Sequence, residues 1–247
     1  MTDHGGFGLR IGSTIVPGTE WVIRDDRAWW NLGDYATRQR ALHPEILCGH
    51  WTAGEAGSRT ADDDGPFVYR VMKNRPSIKL PPPAKLQVSI HFVIGADGRV
   101  WQTMDPLTCV AIHVGDGSVN SRSVGVEVVN PGTGPMVAQR PRDRVSHRML
   151  PTAKLPRGRL VRQLAFYPAQ IAAWIRLADT LAAHLPIPRQ VPRGADGGLE
   201  IDRFTRAEMK RWRGAMEHFH VPSTMKVDAG TQLIRALEDH GWPAVTP

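Results

Sequence analysis

VSIHFVIGADGRVWQT, residues 88–103, sets two β-prone runs on either side of a Gly-Ala-Asp-Gly turn. Apolar runs bounded by so short a turn are the mark of a β-hairpin. Upstream, EILCGHW (45–51) is a compact apolar run leading into a turn-rich loop, TAGEAGSRTADDDG, and reads as a short buried strand. Downstream, RSVGVEVVN (122–130) alternates, with Val124, Val126 and Val128 on one face and Glu127 on the other. Helical spacing then takes over: Ile171, Trp174, Leu177, Ala178 and Leu181 recur within YPAQIAAWIRLADTLAAHL (167–185). RFTRAEMKRWRGAMEHF (203–219) predicts a second helix and GTQLIRALEDH (230–240) a third. Strands first and helices later, with a hairpin among the strands, predict an α/β fold: a central mixed β-sheet flanked by helices.

The chain has 247 residues, enough to bury a large core, and favours one domain over two small ones. Residues 1–40 read as an N-terminal accessory segment, with an extended stretch at TEWVIRD and the pair Trp29 and Trp30, ahead of a main domain over 41–247. Residues 131–165, rich in Pro, Gly and Arg, read as a basic insertion on the surface of that domain. Two cysteines, Cys48 and Cys109, allow at most one disulfide and exclude a disulfide scaffold. No apolar stretch reaches membrane-spanning length, and the N-terminus carries no signal-peptide pattern, so synthesis in the cytoplasm with reduced thiols is expected. A net charge of +7 favours anionic partners: nucleic acid, a membrane surface or a cell-wall polymer. The arginine-rich run 139–162 lacks interleaved aromatics and any nucleic-acid-binding module, so no nucleic-acid partner is expected. Asp62, Asp63 and Asp64 lack the alternating spacing of a calcium loop and read as a solvated turn.

A different set of residues suggests a metal. A catalytic zinc takes three ligands from His, Asp, Glu or Cys and leaves a position for water. His50 ends a predicted strand, Asp228 stands just before a predicted helix, and Lys226 precedes it by two residues, on the same side of an extended segment. His218 or His220 supplies a second ring nitrogen. The segments ILCGHWTAG, VSIHFVIGADGRVWQ, AIHVGDGSVNSRSVGVEVVN and HFHVPSTMKVDAG occur in the order of the zinc-dependent N-acetylmuramoyl-L-alanine amidases of type 2. The chain resembles that family, which shares its fold with peptidoglycan recognition proteins and phage endolysins, over roughly residues 42–240.

That resemblance implies His50, His218 and Asp228 as ligands of one Zn2+ ion, with His220 as the alternative to His218. It implies Glu127 as the catalytic base and Lys226 as the group that stabilises the oxyanion. His113, Asn120 and Trp51 would line the substrate cleft, and His91 would stand behind the site in a structural role. Ala229 replaces the family's usual proline. The implied reaction is hydrolysis of the amide between N-acetylmuramic acid and the L-alanine of the stem peptide. The expected partners are peptidoglycan or muropeptides, with basic segments held near other anionic wall polymers, and a monomer is expected. A lytic, endolysin-type role is preferred to a muropeptide-recycling one, because the accessory N-terminus and the insertion do not suit a compact recycling enzyme. A non-catalytic peptidoglycan-binding module is the remaining rival.

Overall fold

A computed structural model describes residues 6–24, 37–52, 88–130, 144–148, 160–222 and 228–247. Its centre is a six-stranded mixed sheet; β4 (Thr37–Gln39) pairs with β8 (Cys109–Ala111) and β12 (Val191–Pro192) with β14 (Ala244–Val245) outside it, and α1 is the short helix Gly117–Asn120. β5 (Ile46–Trp51) and β9 (Ser123–Val128) run parallel at its middle, with β13 (Gly214–Glu217) parallel to β5 on the outer side. Beyond β9 comes β6 (Phe92–Ile94), also parallel, then its hairpin partner β7 (Val100–Gln102). The edge strand is β3 (Val22–Arg24), parallel to β7. The hairpin expected from 88–103 is therefore present, and Gly98 closes its turn with φ +83, a conformation that L side chains rarely adopt.

Alternation along β9 separates the two faces of this sheet. Val124, Val126 and Val128 join Leu47, Trp51, Phe92 and Ile94 in the main core. Helices α2 (Pro168–His184) and α4 (Gln232–Asp239) cover that face, contributing Trp174, Leu177 and Leu181 from one and Leu233, Ile234 and Leu237 from the other. The Trp174 indole N–H donates to the Leu233 carbonyl at 3.1 Å and clamps the two helices together. Pro168 at the first helical position, where its missing N–H costs no helical bond, helps start α2. On the opposite face two smaller apolar clusters leave room between them for polar side chains.

One expectation changes. The single helix expected over 203–219 is α3 (Arg206–Arg211) followed by strand β13 and one 3-10 turn at His218–His220. Thr205 caps α3 and pairs reciprocally with Glu208. Gly214 then takes φ +96 with the Gln190 and Pro188 carbonyls close against it, and the chain leaves the helix to join β5. Apolar residues at 215 and 216 suit either periodicity, and tertiary pairing decides. The expected basic insertion includes an antiparallel ribbon, β10 (Arg144–Arg148) with β11 (Leu160–Leu164). The described part of the N-terminal segment packs on the sheet and its edge. It supplies edge strand β3, a hairpin of β1 (Leu9–Ile11) and β2 (Thr14–Val16), and the core residues Leu9, Ile11, Val16 and Val22. Asp105, nearly inaccessible, fastens that hairpin by accepting from the Gly12 N–H at 2.9 Å.

Candidate metal centre

The polar face of the sheet carries the site. Residues of one parity on β5, Cys48 and His50, point away from the main core, and the register sets His50 directly beside Glu127 of β9. Glu127 in turn stands beside Val93 of β6. On the other flank β13 ends at Glu217, and the 3-10 turn that follows brings His218 over the end of β5. β5, β9 and β13 are parallel, so these residues gather at the carboxyl ends of three neighbouring strands, where sheets of this kind place their ligands.

Two ring nitrogens converge on one carboxylate oxygen. His218 Nδ1 lies 3.0 Å and His50 Nδ1 3.2 Å from Asp228 Oδ2, and the two rings stand edge to face with centroids 4.5 Å apart. All three side chains are buried, and their donor atoms lie within 4.8 Å of one another. Burial alone would push the Asp228 carboxyl up; the His218 and His50 rings more than reverse this and hold it well below the usual carboxylate range. An ionised carboxylate faced by two imidazoles is a donor set suited to zinc, and it leaves a position for water. A second donor group, Cys48, His50 and His113, shares His50. Burial pushes the Cys48 thiol well up, and Glu217, Asp228 and Glu127 add to the effect. Both cysteines are free and buried.

Of the two histidines in contention, His218 faces the site and His220 does not. His220 is inaccessible, its Nδ1 accepts from the Glu217 N–H at 3.0 Å, and its Nε2 lies 3.0 Å from the Glu200 carbonyl. Both ring nitrogens thus serve the backbone, and burial lowers its pKa to about 4. Lys226 lies outside the described residues.

The residues expected in a substrate cleft divide. His113 touches the site, with Nδ1 2.8 Å from His50 Nε2. Trp51 is corrected: it is the strand neighbour of His50, so the pleat sends it to the opposite face, into the main core. Asn120 stands beside His113. Its side-chain oxygen accepts from the His113 and Val114 N–H groups at 3.0 and 3.1 Å, and it is buried, so it shapes the His113 turn. His91 supports β9: Gly125 N–H donates to its Nδ1 at 3.0 Å, which leaves Nε2–H to donate to the Cys109 carbonyl at 3.2 Å. It reaches neither His50 nor His218 by hydrogen bond.

Four residues without an expected role also shape the site. Arg40 is buried and donates to the carbonyls of Cys109, Ser121 and Ser123, lashing β9 to the strand preceding it. Ser123 Oγ lies 2.8 Å from His113 Nε2. Gly125 makes space for that ring, because a Cβ there would sit 2.7 Å from His113 Cγ. Glu217 is a buried carboxyl pressed against Gly49, and burial with Asp228 nearby holds it well above the usual range. The pleat alone could have signalled Ser123 and Gly125, which share a strand face with Glu127. Arg40 and Glu217 carry no such signal in the sequence.

Known structures share this architecture. Drosophila peptidoglycan recognition protein SA superimposes with a TM-score of 0.50 at 13% identity, over 92% of this chain and 95% of that one. The E. coli N-acetylmuramyl-L-alanine amidase AmiD, in complex with anhydro-N-acetylmuramic acid-L-Ala-D-gamma-Glu-L-Lys, gives 0.45 at 21% identity over 84% of this chain and 62% of that one. The Ph2119 endolysin of a Thermus scotoductus bacteriophage gives 0.46 at 15% over 89% and 98%. No curated protein sequence matches the chain. The sequence pattern of the N-acetylmuramoyl-L-alanine amidases matches residues 38–231. The chain therefore belongs to the N-acetylmuramoyl-L-alanine amidase family, with the fold shared by type 2 amidases and peptidoglycan recognition proteins.

Proposed function

We propose that the protein is a zinc-dependent peptidoglycan hydrolase that cleaves the amide between N-acetylmuramic acid and the L-alanine of the stem peptide. The observation that carries this reading is the convergence of His50 Nδ1, His218 Nδ1 and Asp228 Oδ2 beside Glu127. These three residues would hold the zinc, which supplies a Lewis acid for the amide carbonyl and lowers the pKa of water in the site. Glu127 takes the proton of the attacking water on its carboxylate and returns it to the leaving nitrogen. Its position on a central strand, opposite His50, fixes the distance between base and ligand set through the backbone of the sheet. Lys226 is assigned from sequence to the oxyanion. Burial of the ligand set excludes bulk water and strengthens each charge interaction within it.

The preferred substrate is the intact wall, in a lytic role, with the +7 charge holding the protein near anionic wall polymers. The chain would then act as a monomer after release or export from the cytoplasm. Digestion of purified sacculi and of soluble muropeptides, with zinc and with chelator, tests the whole reading. New L-alanine amino termini from sacculi, lost with chelator and restored by zinc, are expected. Cleavage of muropeptides alone would replace the lytic role with recycling. Bound zinc without cleavage of either substrate would leave a recognition module and remove the catalytic assignments.

A further inference from the structure

We propose that His113 is a positioning residue for the metal: it accepts a hydrogen bond from His50 and so fixes the tautomer in which His50 can serve as a ligand. The inference rests on the zinc reading above and goes beyond it, since that reading gives His113 a place in the substrate cleft and no part in holding the metal.

With a cation on His50 Nδ1, the contacts leave one consistent assignment of protons. His50 Nδ1 faces Asp228 Oδ2 and the His218 ring, so this is the nitrogen available to a cation. A ligating nitrogen carries no proton, so the His50 proton must be on Nε2. That atom lies 2.8 Å from His113 Nδ1, which must then be an acceptor. The His113 proton is accordingly on Nε2, 2.8 Å from Ser123 Oγ, which receives it. Every step in this chain, from His50 through His113 to Ser123, is one donor meeting one acceptor.

The surroundings hold His113 to that task. Asn120 accepts from its main-chain N–H and fixes the turn that carries it. Gly125 lies under its ring, where a Cβ would come within 2.8 Å of the very atom, Nδ1, that meets His50. Ring and strand could not approach so closely with any other residue at 125. An outer partner of this kind orients the ligand and raises its basicity, and its loss weakens metal binding about 10–100-fold.

The competing assignment makes His113 a ligand itself, with Cys48 and His50. Substitutions separate the two. In asparagine, Oδ1 takes roughly the place of Nδ1 and can accept from His50, but an amide is a poor zinc ligand. The experiment measures zinc affinity of the full chain by competition with a chromophoric chelator, for wild type, His113→Ala, His113→Asn and Cys48→Ala. Thermal melting of each metal-free protein reports whether it is folded. Expected is a rise in Kd of about 10–100-fold for His113→Ala, with His113→Asn restored to within about threefold of wild type. Cys48→Ala should bind as wild type does.

Wild-type affinity in a folded His113→Ala would overturn the positioning role while leaving zinc in place. Equal loss in His113→Ala and His113→Asn, together with loss in Cys48→Ala, would overturn it in favour of direct ligation. Failure of the wild-type chain to bind zinc at all would overturn the zinc reading and this inference together.

Discussion

Lowering the pH should destabilise the protein through His91, by an amount that can be worked out. The ring is inaccessible, and burial, followed by the nearby Arg40 guanidinium, pushes its pKa down from 6.5 to about 3. The hydrogen-bond pattern agrees, since Nδ1 accepts from Gly125 and only Nε2 carries a proton. In the unfolded chain the same imidazole titrates near its ordinary value of about 6.5. Between those two pKa values the unfolded chain binds a proton that the folded one refuses, so stability falls as pH falls. Above pH ~6.5 the full contribution is present. The slope approaches about 1.4 kcal/mol per pH unit for one group, and going from pH 7 to pH 5 should cost about 2 kcal/mol. The assay is urea unfolding of the metal-free wild type and His91→Gln at pH 7, 6 and 5. Carboxylates and the other histidines titrate in both proteins and largely cancel in the difference. Wild type should lose about 2 kcal/mol relative to the variant across this range. A difference that stays constant with pH would refute the reasoning and show that the folded protein protonates His91 as readily as the unfolded chain does.

Three further outcomes are expected. Glu127→Gln should keep zinc and wall binding but lower turnover by a factor of about 10²–10⁴; unchanged turnover would remove Glu127 as the base. His220→Ala should keep zinc affinity while losing about 2–4 kcal/mol of stability, because the Glu217 N–H and the Glu200 carbonyl both lose their partner. Chelator competition and urea unfolding measure the two effects separately, and loss of zinc from a folded variant would make His220 a ligand. Gly49→Ala should destabilise by about 1–3 kcal/mol or more, since its Cβ would meet the Glu217 carboxyl and, at 3.0 Å, Leu233; an unchanged urea midpoint would show that β13 can move aside.

The parts of the fold that could be read in advance are those where one period acts alone. Val124, Val126 and Val128 alternate without ambiguity, and so does the helical stripe from Ile171 to Leu181, and both lie where their spacing puts them. Residues 203–219 failed because charged and apolar residues there satisfy a helix locally, whereas Gly214 and pairing with β5 act only in three dimensions. Trp51 follows from the pleat, which puts it on the face opposite its neighbour His50 and into the main core. At the site, His50 and Glu127 were legible because each breaks the apolar pattern of its strand. The different surroundings of His218 and His220 were not, since two histidines separated by one residue look alike until the 3-10 turn directs one to Asp228 and the other to the Glu200 carbonyl. Arg40 was invisible because its partners are backbone carbonyls, which every sequence has.

The ligand set spans most of the chain: 178 positions separate His50 from Asp228, whereas only 10 separate His218 from Asp228. An ion held by all three would therefore be a clasp as well as a reagent, closing a very long loop with one small fastening. A permanent cross-link over a loop of 100 residues or more removes on the order of 5 kcal/mol of chain entropy from the unfolded state, and a metal clip acts in the same direction while it stays bound. Zinc lost from such a protein would cost it more than its chemistry. The first strand of the site and the last helix would become independent ends of an open chain, tied together only by the packing of the sheet.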